Sequence, residues 1–185
     1  AMEGTAARCL EFAVLTASRT SEALGARWAE LDLDAGTWLV PAERMKASGK
    51  DKAESHLVYL SPRALAIVRA QVGSHASIVF PSIVKADSEM SNMAMLAVLD
   101  RMGERSRTTV HGLCRATFST WAYETNAARP DVIEACLAHR EADKVKAAYN
   151  RAQFNEERKA LLAAWADYLA QPPAAVLPFT GKAAA

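Results

Sequence analysis

The side chains that could do chemistry are scattered along this 185-residue chain rather than gathered in one motif. They are two guanidinium groups, two imidazoles, one ammonium, one carboxylate and one phenol: Arg19, Glu22, Lys46, His111, Arg115, His139 and Tyr149. Planar guanidinium groups pair bidentately with phosphate. Imidazole and ammonium groups transfer protons, and a phenol becomes a nucleophile once a base or a positive field activates it. Together these groups suit the binding and covalent attack of one tetrahedral anion.

Several common catalytic motifs are absent from the sequence. It contains no GxxxxGK[ST], GxGxxG, HExxH or GxSxG pattern. Nucleotide hydrolysis, Rossmann cofactor binding, zincin chemistry and nucleophile-elbow hydrolysis therefore lose their simplest support. We expect a site that uses no metal and no other cofactor.

The elements that must position these side chains are mostly helical. Apolar spacing and capping residues predict helices at about 6–17, 20–28, from 62, 91–103, 112–123, 129–137, 141–150 and 155–169. Strand formers at 37–40 and 56–60 surround a polar loop that contains glycine, which predicts a hairpin in a small antiparallel sheet. The expected fold is α+β and mostly helical.

Composition and charge set broad limits. Hydrophobic residues make up 51% of the chain. The formal net charge is only +1, so the overall charge does not indicate a polyanionic partner. Three cysteines do not form a disulfide framework, and no apolar run is long enough to span a membrane. We expect a cytoplasmic protein.

The charge is nevertheless uneven. Residues 44–52 and 101–115 each contain four basic residues and one acidic residue, a net charge of +3 in each stretch. Either cluster alone is typical of a solvated face, but two clusters that flank the polar set favour an anionic partner. The candidate contacts to such a partner are Arg44, Lys50, Lys52, Arg105 and Arg107.

The polar residues follow a recognisable order. Arg19 and Glu22 form Arg-x-x-Glu, Lys46 leaves a hairpin strand, His111 and Arg115 open a helix, His139 ends Leu-x-His, and Tyr149 lies in Ala-Ala-Tyr-Asn-Arg. In this order and spacing, the sequence from about 14 to 169 resembles the tyrosine recombinase (phage integrase) family. Residues 45–61 and 139–151 are most similar to integrases of satellite phages and genomic islands. Taken singly, each residue has a structural explanation, such as an arginine stem that covers apolar surface.

The resemblance implies a fold and a reaction. The fold would be the family's catalytic domain, and the enzyme would be a site-specific recombinase that cuts and rejoins DNA through a 3′-phosphotyrosyl intermediate, without metal or ATP. Tyr149 would be the nucleophile, His111 its base, and Lys46 the acid for the leaving 5′-oxygen. Arg19, Arg115 and His139 would contact the non-bridging oxygens, and Glu22 would orient Arg19 or hold a histidine tautomer.

One departure from the family pattern concerns the helix that carries Arg115. The family usually has His-x-x-Arg, whereas three residues separate His111 from Arg115 in this chain. Positions i+3 and i+4 lie on the same face of a helix, so the extra residue need not disable the pair.

The resemblance also implies an organisation. Residues 1–171 would be the catalytic domain, and residues 172–185 a flexible tail that docks on a neighbouring protomer. A core-binding domain usually precedes the catalytic domain, so we expect an isolated C-terminal domain that is monomeric, binds DNA weakly and is feebly active alone. The full-length protein would assemble as a tetramer on double-stranded attachment sites, with no membrane partner.

Three alternatives stay open at the level of sequence. His111-x-x-Cys114 and Cys136-x-x-His139 have ligand types that suit a structural zinc site. A DNA-binding module that kept the fold and lost activity is the second alternative. A type IB topoisomerase, which resembles the recombinases in chemistry, is the third.

Overall fold

The structure is a computed structural model that describes residues 3–46, 54–85, 87–139 and 152–172. Over these ranges it contains seven α-helices: α1 Thr5–Thr16, α2 Thr20–Leu24, α3 Pro62–Arg69, α4 Met93–Arg101, α5 Thr117–Glu124, α6 Pro130–Cys136 and α7 Asn155–Ala170. The strands are β1 Leu31–Asp32, β2 Thr37–Val40 and β3 His56–Tyr59. Two 3-10 turns, Trp28–Glu30 and Ala42–Arg44, and a π turn, Gly112–Ala116, complete the elements. The predicted α+β, mostly helical architecture is confirmed.

The three strands form one antiparallel sheet in the order β1-β2-β3. Trp38 pairs with Val58, and Val40 pairs with His56. Trp38 and Val40 are fully buried while Leu39 between them is half exposed, because successive strand residues point to opposite faces. The predicted hairpin is therefore confirmed in its strands, whereas its loop at 47–53 lies outside the described residues.

Helix α1 is the centre of the core. It packs against α2, α3, α4, α7 and the π turn. Its Phe12 ring lies 5.2 Å from the Trp38 ring and 5.3 Å from the Phe80 ring, centroid to centroid, which joins the helical layer to the sheet. Cys9, Phe12 and Ala13 have no exposed surface. The helix predicted at 6–17 is thus confirmed as a buried one.

Two helices end in the same unusual way. Helix α1 is followed by Ala17 and α6 by Leu137-Ala138, and both alanines have a φ of 49°, in the left-handed region that normally favours glycine. The chain reverses direction at each, so that Ser18 N–H donates to the Ala13 carbonyl and His139 N–H to the Glu134 carbonyl. These two reversals bring helix ends towards the candidate site.

The second helix is shorter than predicted. Its last residue is Leu24, Gly25 is its C-terminal cap, and Trp28 lies in a separate 3-10 turn. The chain leaves the helix because its backbone pairs elsewhere: Trp28 N–H donates to the Ser77 carbonyl, and Val79 N–H to the Ala26 carbonyl. Gly25 is suited to this position since a Cβ there would lie 2.9 Å from an Arg44 nitrogen.

Helix α7 confirms the last predicted helix with one difference. Leu161, Leu162 and Trp165 are buried, but Leu169, predicted on the same face, is 40% exposed. The predicted helix at 141–150 and the tail lie outside the described residues, apart from residue 172. Within the described ranges, no helix is both long and apolar enough to cross a bilayer.

Candidate functional site

Arg115 is the best-anchored cation of the site. Its side chain is buried, and the guanidinium donates to the Ala17 carbonyl at 2.8 Å and to the Leu137 carbonyl at 2.7 Å. The two left-handed reversals therefore hold one arginine between the ends of α1 and α6. Burial, and then the positive charge of Arg19, lower the pKa of Arg115 to about 10, so that it remains charged at neutral pH.

The π turn Gly112–Ala116 accommodates the one extra residue that separates His111 from Arg115. Thr117 N–H donates to the Gly112 carbonyl, an i→i−5 bond that accommodates one residue more than an α-helical turn. Cys114 and Arg115 are both buried as a result. The departure from the family spacing therefore leaves Arg115 pointing into the site, while His111 lies exposed at the start of the turn.

Arg19 and Glu22 form the second anchored pair. Arg19 caps α2, and its backbone N–H donates to the Glu22 carboxylate at 2.9 Å. The Arg19 guanidinium donates to the other carboxylate oxygen at 2.6 Å. Glu22 is 2% exposed. Its negative charge partly opposes the lowering of the Arg115 pKa by burial and by Arg19. One buried carboxylate thus balances two guanidinium groups.

His139 connects this cluster to a carboxylate that the sequence analysis missed. The Nε2 atom of His139 lies 2.9 Å from an Arg115 nitrogen, and its Nδ1 atom lies 2.7 Å from the Glu134 carboxylate. Glu134 precedes His139 by five residues, a separation at which helical side chains do not normally meet. They meet because the chain reverses at Ala138, which the sequence pattern did not reveal.

Two adjoining cavities lie at this cluster. A wide cleft of about 850 Å³ is lined in part by Arg19, Lys46 and His111. A smaller cavity of about 170 Å³ is lined in part by Lys46, His56 and His139. Lys46 lines both cavities, and Arg115 is hydrogen-bonded to His139 of the smaller one. The structure therefore brings together every predicted catalytic residue that it describes. Tyr149 lies outside the described residues.

His56 is a second group that the sequence analysis missed. Burial, followed by the positive charge of Arg158, lowers the pKa of His56 to about 4, so the ring is neutral. Arg158 of α7 is itself buried; it donates to the Leu57 carbonyl and lies over the Tyr59 ring. A histidine at the start of an apolar strand was the available signal.

The predicted DNA contacts differ in what they bind. The Arg44 guanidinium pairs with Glu30 and donates to the Glu22 carbonyl, which braces the end of α2. Arg44 therefore has a structural role, and its contact with DNA stays a prediction.

The other predicted DNA contacts are exposed or outside the described ranges. Arg105 lines the wide cleft and lies 3.2 Å from Asp100, and the exposed Arg107 lies 2.9 Å from Glu104. Lys50 and Lys52 lie outside the described residues.

The zinc alternative receives no support from the cysteines. Burial raises the pKa of Cys114 to about 12 and that of Cys136 to about 11, which favours thiols over the thiolates that bind metals. Among residues 3–46, 54–85, 87–139 and 152–172, no three His, Cys, Asp or Glu side chains are grouped as metal ligands.

Known proteins resemble this chain in both sequence and fold. The sequence pattern of the phage integrase family matches residues 2–156. Prophage integrase IntA of Escherichia coli (strain K12) is 39% identical over 86% of this chain and 38% of its own length. The integrase of Enterobacteria phage P4 is 32% identical over 86% of the chain and 39% of its own length. The chain therefore spans about two fifths of these relatives.

A solved structure extends the comparison to the fold. The crystal structure of XerA recombinase superposes with a TM-score of 0.54 at 17% sequence identity, over 84% of this chain and 62% of that one. At this identity the match shows the fold alone.

Proposed function

The chain belongs to the phage integrase family, and we propose that it is the catalytic domain of a site-specific DNA recombinase that cuts and rejoins strands through Tyr149. The observation that carries this proposal is that Arg19, held by the buried Glu22 at a wide cleft, and Arg115, held by two backbone carbonyls, are near enough for the charge of Arg19 to lower the pKa of Arg115. Two guanidinium groups fixed in this way form a ready site for one phosphodiester.

The proposed reaction is a pair of transesterifications. The Tyr149 oxygen attacks the phosphorus, the bond from phosphorus to the 5′-oxygen breaks, and the phenol proton leaves to a base. The products are a 3′-phosphotyrosyl link and a free 5′-hydroxyl. A different 5′-hydroxyl then attacks the link and releases the tyrosine. Each step exchanges one ester for another, so no nucleotide triphosphate is needed.

The anchored arginines would stabilise the transition state. Negative charge grows on the non-bridging oxygens as the fifth bond forms, and donors that are already in place need no reorganisation to meet it. Arg115 is held by two backbone carbonyls and Arg19 by Glu22, so both guanidinium groups are oriented before DNA binds. This supports electrostatic stabilisation as the main contribution of these residues.

The exposed groups would move protons. Lys46 lines both cavities and is exposed, a position from which its ammonium can reach the leaving 5′-oxygen. His111 lines the wide cleft and is exposed as well, so it can act as base to the phenol. The tyrosine needs such help because a free phenol is almost fully protonated at neutral pH.

The partner in this proposal is double-stranded DNA that carries the attachment sites. The relatives are more than twice as long as this chain, so much of the DNA contact surface would lie elsewhere. We propose weak binding and a monomer for residues 1–171 alone, a tetramer on DNA for the full-length protein, and protomer docking through residues 172–185. Affinity falls steeply when phosphate contacts are lost.

A nicked suicide substrate tests the proposal. Cleavage near the nick releases a short strand by diffusion, which traps the covalent protein–DNA adduct. We expect an adduct from the wild-type chain and from Tyr168→Phe, which changes an exposed tyrosine of α7, and none from Tyr149→Phe. DNA binding without an adduct would favour the inactive module and overturn the enzymatic proposal. An adduct that survives Tyr149→Phe would assign the nucleophile to another residue.

A further inference from the structure

We propose that Glu134 is a positioning residue that fixes the tautomer of His139 and, through it, the orientation of Arg115. The proposal rests on the proposed function, because Arg115 is the phosphate-binding arginine of that site. It is carried by a continuous chain of hydrogen bonds from Tyr123 through Glu134 and His139 to Arg115, with distances of 2.8, 2.7 and 2.9 Å.

The tautomer follows from the partners of the ring. A guanidinium group has donors and no acceptor, so Arg115 must donate to Nε2 of His139. Nε2 therefore carries a lone pair, and the proton of the neutral ring is on Nδ1. That proton is donated to the Glu134 carboxylate, which is an acceptor. A carboxylate that holds a histidine tautomer in this way is a recurring device of catalytic sites.

Glu134 holds His139 at two points. Its backbone carbonyl accepts the His139 N–H at 3.0 Å, and its carboxylate accepts the ring N–H. Both bonds depend on the left-handed Ala138, which turns the ring back towards α6. The main chain and the ring of His139 are thus fixed by one residue.

Tyr123 supports the other side of the carboxylate. Its hydroxyl donates to Oε1 of Glu134, and burial together with this hydrogen bond raises the pKa of Tyr123 to about 12. The hydroxyl therefore stays protonated and remains a donor. Oε1 is directed at Tyr123 on α5, which leaves Oε2 for His139.

The role of His139 changes accordingly. The resemblance implied that it donates to a phosphate oxygen, but in this state Nε2 accepts a hydrogen bond from Arg115. His139 and the Leu137 carbonyl together hold the same guanidinium nitrogen. The other ionisable groups around the ring are Lys46, Glu54 and His56, which line the small cavity with it. Only Glu134 and Arg115 are hydrogen-bonded to the ring within the described residues.

Nitrogen NMR of the histidine rings tests the tautomer directly. With only four histidines in the chain, a His139→Asn spectrum assigns the signals of residue 139. At a pH where the ring is neutral, we expect the proton on Nδ1 in the wild type and in Glu134→Gln, whose amide oxygen still accepts it. In Glu134→Ala the ring loses one of its two partners and can turn away from Arg115, so we expect a smaller share of this form. A wild-type ring with its proton on Nε2 would overturn the proposal.

Single-turnover cleavage tests the consequence for Arg115. We expect Glu134→Ala to lower the cleavage rate about 10- to 100-fold, as is typical when the partner of a site residue is removed. Glu134→Gln should recover most of the rate, and Tyr123→Phe should cause a smaller loss than Glu134→Ala. The matched control is Glu157→Ala, which removes an exposed carboxylate paired with Arg129 near α6 and should change the rate by less than about twofold.

The outcomes separate this inference from the proposed function. If the wild type forms an adduct and Glu134→Ala is as fast as Glu157→Ala, the positioning role is wrong and the recombinase stands. If the wild type forms no adduct, the recombinase proposal fails. The tautomer of His139 seen by NMR then tests, without any activity, whether Glu134 holds the ring. Should Glu134→Ala fail to fold, Tyr123→Phe takes its place, because it removes the donor that holds the Glu134 carboxylate. A Tyr123→Phe variant whose cleavage rate and histidine tautomer both equal those of the wild type would then contradict the role.

Discussion

Arg115 and Lys46 both lie beside His139, and the structure holds them in opposite ways. Arg115 is buried and bound to two backbone carbonyls and an imidazole. Lys46 is exposed, and its ammonium has no hydrogen bond or ion pair to any residue in the described part of the chain. The group that would meet the charge of the transition state is fixed in advance, whereas the group that would deliver a proton is free to move. Electrostatic stabilisation requires preorganised donors, while proton transfer requires only reach at the right moment.

Arg115→Ala should produce the largest effect, because it removes both a phosphate contact and a structural anchor. We expect cleavage to fall by about three orders of magnitude. The free energy of unfolding should fall by about 2–4 kcal/mol, since the carbonyls of Ala17 and Leu137 lose a buried donor. Denaturant unfolding and single-turnover cleavage measure the two effects.

Arg115→Lys should recover little of either effect, because one ammonium cannot reach both carbonyls and His139 in the fork geometry of arginine. Arg63→Ala, which removes an exposed arginine paired with Glu11, is the matched control and should leave both quantities almost unchanged. An Arg115→Ala variant with the wild-type cleavage rate and free energy of unfolding would contradict the distinction between the anchored Arg115 and the free Lys46.

Lys46→Ala should affect only the chemistry. We expect cleavage to slow by about 100-fold, within the range for loss of a general acid. The free energy of unfolding should stay within about 0.5 kcal/mol of the wild type, as for other exposed positions. A substrate with sulfur in place of the 5′-oxygen should restore the rate, because a thiolate leaves without a proton. Lys159→Ala serves as the control, and failure of the sulfur substrate to rescue would contradict the role of acid.

His56 should make the free energy of unfolding depend on pH. Its pKa is about 4 in the folded protein and about 6.5 when exposed, so the unfolded chain binds more protons between these values. The contribution is therefore full above pH 6.5 and is lost as the pH falls towards 4, by roughly 3 kcal/mol.

Denaturant unfolding between pH 4 and 7 should show this loss in the wild type and a flatter profile in His56→Gln. His111→Gln changes the exposed histidine and should keep the wild-type slope. Identical slopes for His56→Gln and the wild type would show that His56 is not held neutral by burial.

Ala138→Gly should have the smallest effect. Alanine at a φ of 49° is strained, and glycine adopts this conformation freely, so we expect a gain of about 0.5–1 kcal/mol in the free energy of unfolding. The hydrogen bonds of the Leu137 carbonyl and of His139 do not involve the side chain at 138, so cleavage should change little. A loss of stability, seen as a lower Tm, would contradict this interpretation of the helix end.

The sequence predicted the elements well and the site in part. The regular helices and the hairpin follow from local spacing, and Arg19 and Glu22 from one helical turn. Glu134 could not be predicted, because its contact with His139 arises from a left-handed alanine that no local pattern marks. The structural role of Arg44 could not be predicted either, because its charge suggested only DNA, whereas the fold places Glu30 and the end of α2 against it. Long-range packing decided both cases.

The most direct test of the central claim is to identify the residue that becomes joined to DNA. Protein trapped on a suicide substrate would be digested with protease and nuclease, and the nucleotide-bearing peptide would be sequenced by mass spectrometry. The account predicts a single peptide, modified at Tyr149 through a 3′-phosphate. A modified residue other than Tyr149, or a link through a 5′-phosphate, would contradict it.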